Sequence, residues 1–405
     1  VILINIPMKK NILLQLFCLS FVVFSCSSDD DNVSVIEIPA VESAVLDIAS
    51  GGSNEPNQVY IDLSTEKTTV VRRDSWELGF VSSKSRVVLN SSILVSAVKL
   101  EGINDIDAVS EDTSLETPMN LKSLNLATFQ SVDVSVTTVE ELLVGLPIGY
   151  SMYGDPENNI SFTDSSIGDL DDTAIGDIAS SETDAEVYVV SLGSEIPNDP
   201  AEPGSVNHTG DHRGFYKIKV FMDNNDYVLQ YAPLGENSHS QVVINKNETY
   251  NFTGFSLANG TEVDVEPNKG NWDINYTSVY SYYGSMGGMN AGLTYSDYVV
   301  HNTLNGVGVY MVLTEEPGEG EDADPVATGA PSYEDFSLDD INENKLVFND
   351  PALIASGWRS TSNGTKSDRY YIIKDTDGNF YKLKFNALLN EQGERGYPQI
   401  VYDLL

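Results

Sequence analysis

Two pairs of side chains have the type and spacing to hold a metal ion. His208 and His212 stand in Asn207-His208-Thr209-Gly210-Asp211-His212, the one close pair among four histidines. On a loop, His-x3-His can converge on one metal or present a single ligand, and the alternative is a solvated Gly- and Asp-rich loop with incidental histidines. Met286 and Met289 end the run Tyr280-Ser281-Tyr282-Tyr283-Gly284-Ser285-Met286-Gly287-Gly288-Met289. That run offers thioether and phenolate donors beside aromatic walls, or else a Gly-rich strand connection packed by aromatics. Asp375-Thr376-Asp377-Gly378-Asn379 imitates the start of an EF-hand loop, but the closing Glu and the flanking helices are missing. It reads as a hairpin turn, as does Asp223-Asn224-Asn225-Asp226, because Asp, Asn and Gly tolerate positive φ. No Gly-x-Ser-x-Gly elbow, phosphate-binding loop or His-Glu-x-x-His segment occurs, and carboxylate pairs are too numerous to single one out. With no identifiable nucleophile or base, a non-catalytic protein is expected.

Composition narrows the partners. The 405 residues carry 61 Asp plus Glu against 22 Lys plus Arg, a formal net charge of −39. Such a surface repels phosphate backbones, so nucleic acid is excluded as a partner. Four His and two Cys exclude zinc fingers, iron–sulfur sites and a disulfide framework.

The elements that must position these residues are strands. Val59, Ile61 and Leu63, then Val132, Val134 and Val136, then Tyr216, Ile218, Val220 and Met222 alternate with period two. Helical signals are few: capping-box spacing at Thr138 to Glu141 before Leu142, and a stretch from Tyr333 to Ile341. The expected fold class is therefore all-β, with antiparallel sheets.

An internal duplication organises them. Gln58 to Leu63 leads through Thr69-Val70-Val71 to Ser75-Trp76-Glu77-Leu78-Gly79-Phe80, and Phe252 to Leu257 leads through Glu262 to Val265 to Asn271-Trp272-Asp273-Ile274-Asn275-Tyr276. Each copy is a hairpin followed by Trp-acid-aliphatic-X-aromatic. A second match sets Lys217 to Tyr231 against Tyr371 to Phe385. Two tandem β-sandwich domains are expected, residues 39–247 with an insertion between Glu111 and Thr183, and residues 248–405. A piece from Glu248 to Leu405 is then expected to fold by itself. Trp76 and Trp272 recur on apolar strands and read, with Trp358, as core anchors, the alternative being platforms for sugar rings.

The N-terminal segment reads as an address. Met8-Lys9-Lys10, an apolar run to Phe24 and Ser25-Cys26 have the layout of a secretory signal. Val23-Phe24-Ser25-Cys26 resembles a lipobox, which makes residues 1–25 a signal peptide and Cys26 the lipidated residue. Residues 26–38, with Ser27-Ser28-Asp29-Asp30-Asp31-Asn32, resemble the acidic tether of Bacteroidetes surface lipoproteins. The expected location is the outer membrane, lipid-anchored and exposed at the cell surface.

The ordered landmarks resemble those of the HmuY-like haem-binding lipoproteins of Bacteroidetes. They are Gly270-Asn271-Trp272-Asp273-Ile274, the Gly-rich turn Asn305-Gly306-Val307-Gly308-Val309, Ala355-Ser356-Gly357-Trp358, and the closing Gln399-Ile400-Val401-Tyr402. The resemblance implies an all-β fold of HmuY type, capture of haem or of a haem-carrying protein outside the cell, and an outer-membrane receptor as partner. The family prototype holds iron between two histidines, and other members use methionines, so His208, His212, Met286 and Met289 are the candidate haem ligands here. One departure is clear: the position five residues after Trp358, a family histidine, is Asn363. The alternative function is an adhesion, structural or glycan-binding surface lipoprotein that kept the fold without the ligands.

Overall fold

Period-two alternation becomes antiparallel ladders nearly everywhere in the computed structural model, which describes residues 43–125, 128, 130–146, 162–165, 168–286, 289–318, 324–362 and 364–405. β1 (Ala44–Asp47) precedes a hairpin of β2 (Asn57–Asp62) and β3 (Lys67–Arg72). β4 (Leu78–Val81), β5 (Val87–Leu89) and β6 (Ser96–Leu100) follow. The expected insertion opens with the hairpin β7 (Ser114–Asn125) and β8 (Gln130–Thr138) and the short helix α1 (Val139–Leu143). Thr138 caps that helix by accepting from the Glu141 backbone N–H. β9 (Val187–Ser191), β10 (Phe215–Asp223), β11 (Asp226–Pro233) and β12 (Ser240–Ile244) complete the first half.

The second half begins with β13 (Phe252–Ser256) and β14 (Thr261–Val263), then the long hairpin β15 (Ile274–Met286) and β16 (Met289–His301). After β17 (Gly308–Leu313) come two small ladders, β18 (Glu315–Glu316) with β19 (Val326–Ala327), and β20 (Arg359–Ser360) with β21 (Gly364–Thr365). The stretch from Tyr333 to Ile341 forms a single 3-10 turn, Leu338–Asp340, rather than an α-helix. β22 (Arg369–Lys374), β23 (Phe380–Leu389) and β24 (Arg395–Leu404) close the chain.

Four main sheets are formed among the described residues: β1-β24-β23-β22-β17, β16-β15-β2-β3, β14-β13-β4-β5 and β12-β11-β10-β9-β6. The first two share a core in which Val59, Ile61, Ile274 and Tyr276 meet Tyr371, Ile373, Leu383 and Ile400. The last two share another, in which Leu78, Phe80 and Phe255 meet Ile218, Val220, Tyr227 and Leu229. Two sandwiches result, each with a four-stranded sheet on a five-stranded one.

These cores do not divide the chain at residue 247. Strand β2 of the first repeat pairs with β15 of the second, Tyr60 opposite Asn275. Strand β13 of the second repeat pairs with β4 of the first, Phe252 opposite Val81. Each repeat thus gives its first hairpin to the other's sandwich, and β1 adds a fifth strand beside β24. The boundary at 247/248 separates sequence repeats and not cores; the described residues from Ser43 to Leu405 form one unit. The acid of each Trp-acid motif holds the exchanged hairpin. Glu77 accepts from the Leu257 N–H at 2.6 Å, and Asp273 accepts from the Leu63 N–H at 2.8 Å. Asn90 and Asn302 are likewise equivalent, each donating to the carbonyl of its own tryptophan, Trp76 or Trp272. The second sequence match is one strand out of step. Counted from β6, β10 and β11 are third and fourth, whereas counted from β17, β22 and β23 are second and third.

Buried titratable groups set a pH optimum. Glu266 and Asp273 are buried and Asp164 half-buried, and desolvation pushes all three up to about 7. The same cause pushes the half-buried His208 and the buried His301 down to about 4. A carboxyl group raised by folding gives stability that is complete below its unfolded pKa and is lost as pH rises to the folded value. An imidazole lowered by folding does the reverse, gaining stability with pH between the folded and unfolded values. Three carboxyl groups against two imidazoles make stability fall from about pH 4.5 to 6.5, and three unopposed make it fall faster to about 7, at roughly 1 kcal/mol per group per unit. Glu55 and Glu77, also raised by burial, act in the same direction. Thermal denaturation is expected to show a melting maximum near pH 4.5 and a loss of several degrees by about pH 8. A maximum above about pH 7.5 would refute this assignment of protons.

Candidate functional site

The two sequence-predicted histidines are tied to different partners. His208 gives its backbone carbonyl to Arg73 Nη2 at 3.0 Å. Its ring Nε2 is buried and has no hydrogen-bond partner among the described residues. Burial, with Arg73, Arg395 and Arg359 nearby, keeps the ring neutral. His212 instead has both nitrogens engaged: Nδ1 accepts from the Gly214 N–H at 3.3 Å, so Nε2 donates to Ser191 Oγ at 2.8 Å. Its ring also packs on Phe215 with centroids 4.5 Å apart. Among the described residues no group of three His, Cys, Asp or Glu side chains is placed to hold a metal ion.

Met286 and Met289 are opposite one another at the end of the β15–β16 hairpin. Their side chains, and Asn363 altogether, lie outside the described residues. The remaining histidines are His239, paired with Asp107 at 2.8 Å on the surface, and His301 on β16. His301 donates from Nε2 to the Val347 carbonyl at 3.2 Å, while Nδ1 is buried without a partner among the described residues.

Beneath the long hairpin lies a buried charged cluster that fixes its base. Asp297, at φ 49° on β16, pairs with Arg359 Nε at 2.8 Å and with Arg395. It also accepts from the Tyr276 hydroxyl at 2.9 Å, and that hydroxyl reaches Glu55 at 3.1 Å. Burial alone would raise the Asp297 carboxyl, but its hydrogen bond with Glu55 and the two guanidiniums outweigh that and hold it below the usual range. Glu55, desolvated and facing Asp297, is pushed far up. The pair therefore carries one negative charge against the arginines.

A cleft opens between the two four-stranded sheets, and alternation dictates its walls. On one sheet, Val59, Ile61, Ile274, Tyr276 and Val299 face the core. Gln58, Tyr60, Asn275, Thr277, Tyr298 and Val300 must then face away, and all six line the cleft. On the other sheet, Leu78, Phe80, Val87 and Phe255 face their core, which leaves Val81, Val88 and Phe252 toward the cleft. Gly79 keeps that wall flat, because a Cβ there would lie 2.7 Å from the Phe252 ring. Trp76 packs on Phe252 with centroids 5.4 Å apart, and Trp272 meets Tyr60 edge-on at 5.0 Å. The repeated tryptophans are buried, as core anchors would be, yet they sit at the edges of this cleft rather than within either sandwich core. Trp76 Nε1 donates to Gln58 at 3.2 Å, and Gln58 donates to Thr277 at 3.1 Å, so the polar wall is preset.

Haem does not fit this cleft. Its volume of about 240 Å³ is below the roughly 300–1,000 Å³ typical of sites that bury a larger ligand. Among the described residues that line it none is Lys or Arg, whereas Asp164 and Asp169 are present, so two propionates would meet no cation. His301 borders the cleft, but its free nitrogen is Nδ1, where the side chain's own Cβ crowds a flat macrocycle.

The family model described as HmuY protein matches residues 54–402, a span that crosses both expected domains. No curated protein and no solved structure matches the chain.

Proposed function

The chain belongs to the HmuY family, and from that premise we propose that it is a non-catalytic haem-binding lipoprotein of the outer membrane. Membership carries a haem-related role at the level of the family, and the match over residues 54–402 is the observation that supports the reading most. The proposed anchor is Cys26, with residues 26–38 as the tether that lets the body stand clear of the surface. An outer-membrane receptor is the proposed recipient.

The iron would be held away from the cleft. His212 and His239 spend their imidazoles on protein partners, and the free nitrogen of His301 is the hindered one. That leaves His208 and the Met286 and Met289 pair as the donors to test. A thioether favours ferrous iron, whereas an imidazole serves both oxidation states. The buried cluster around Asp297 would hold the hairpin that carries the methionines at a fixed angle.

Titration of the protein with haemin tests this directly. A Soret shift is expected for the wild type at tens of micromolar protein, a concentration that detects a dissociation constant of about 1 μM. Met286→Ala with Met289→Ala should weaken or shift the reduced spectrum most, and His208→Ala the ferric one. If the wild type shows no haem-dependent shift, haem binding is abandoned for the adhesion reading.

A further inference from the structure

We propose that the cleft between the two four-stranded sheets binds one neutral, hydroxyl-bearing ring, a single sugar unit, at a site separate from any haem. The charge pattern selects against anions. No cationic side chain is present among the described residues around the cleft, and the chain carries a net charge of −39. A cation is also poorly served. Asp164 already accepts two backbone N–H groups, from Leu89 at 2.7 Å and Ala174 at 3.0 Å, and Asp169 accepts from the Asp171 N–H at 2.9 Å. Both acids thus already have backbone partners, Asp164 on strand β5 and in its own loop, Asp169 in its own loop.

The two walls differ as the two aspects of a sugar ring differ. Val81, Val88 and Phe252 offer a C–H-compatible surface, and aromatic edges add to it. Gln58, Asn275 and Thr277 offer amide and hydroxyl groups along the facing strand pair. One of these groups lacks a partner: Asn275 Oδ1 is buried without a hydrogen bond among the described residues. A buried acceptor left unpaired is costly, and a ligand hydroxyl donating to it removes the cost. A volume of about 240 Å³ suits one ring and not an oligosaccharide. The wall residues Gly79 and Asn275 also occupy the same variable place in the duplicated Trp-acid-aliphatic-X-aromatic motif, one small to flatten its wall and one polar to face the ligand.

The test uses the full chain and a panel of free monosaccharides, neutral ones beside glucuronate and choline, followed by ligand-observed NMR and calorimetry. At least one neutral sugar is expected to bind with a dissociation constant at or below about 1 mM. Asn275→Leu, close in size and without the acceptor, should weaken it tenfold or more, and Val88→Trp, which fills the apolar side, should abolish it. The haemin spectrum of both variants should equal that of the wild type, so loss of sugar binding and loss of haem binding are read separately. The proposal is overturned if no neutral sugar binds at about 10 mM, if choline or glucuronate binds instead, or if binding survives both substitutions.

Discussion

A fragment from Glu248 to Leu405 is expected to remain unfolded when made alone, although it holds one complete sequence repeat. It lacks β1 and the β2–β3 hairpin, and with them Ile48, Val59, Ile61 and Leu63 of the core around Tyr276 and Tyr371. Each such side chain contributes about 1.5–3 kcal/mol when buried, so four together approach the roughly 5–15 kcal/mol that separates folded from unfolded domains. Its own hairpin, β13–β14, would have no β4 to pair with and would expose Phe255 and Leu257. The fragment from Ser43 to Asn247 fails for the reciprocal reason. Coexpressed, the two should recover a native-like complex, because every exchanged strand then finds its partner. Far-UV circular dichroism and amide dispersion of the isolated fragments, with size exclusion of the pair, give the readout. A well-dispersed spectrum from residues 248–405 alone would show that the exchange is dispensable.

What the sequence discloses, and what it hides, follows from the range of each signal. Period-two alternation is local, so the all-β class and most strands were legible, and the Asp375–Asn379 and Asp223–Asp226 segments are turns as their chemistry requires. The duplication was legible too, since Trp76 and Trp272, and Glu77 and Asp273, do occupy matching places. Which hairpin joins which sandwich was not, because β2 pairing with β15 rather than β4 leaves the alternation of either strand unchanged. The slip of one strand in the second match has the same origin. Alternating Tyr, Ile and Leu hairpins with Asp and Asn turns look alike wherever they stand in a sheet. Asn275 is the variable residue of its motif and carries no sequence signal of its own, and only the facing sheet gives it a role. The charged cluster was invisible for a further reason: Glu55, Asp297, Arg359 and Arg395 are spread along most of the chain and share no spacing.

Asp297→Ala is expected to destabilise the protein by about 3–5 kcal/mol, since removing one member of a buried ion pair strands the others. The side chains of Arg359 and Arg395 are 9% and 6% exposed, so neither guanidinium can turn to water for a new partner. The Tyr276 hydroxyl would keep only Glu55 as an acceptor. A backbone contribution adds to this, because φ at this residue is 49°, a conformation Asn and Asp tolerate better than Ala. Asp297→Asn separates the two: it keeps the backbone preference and a hydrogen bond to Tyr276 while losing the charge, so it should cost about 1 kcal/mol less than Ala. Adding Arg395→Met to Asp297→Asn removes one stranded cation and should restore part of the loss, which additive substitutions would not do. The sign with pH is fixed by the direction of the shift. Because the Asp297 carboxyl is held low, its contribution is present above the unfolded carboxylate value and is lost as pH falls through the folded one. The penalty of Asp297→Asn should therefore be full at neutral pH and shrink in strong acid. Urea denaturation midpoints for the three variants at neutral and acid pH measure this, and a loss below about 1 kcal/mol at neutral pH would mean that the cluster is not what holds the base of the long hairpin.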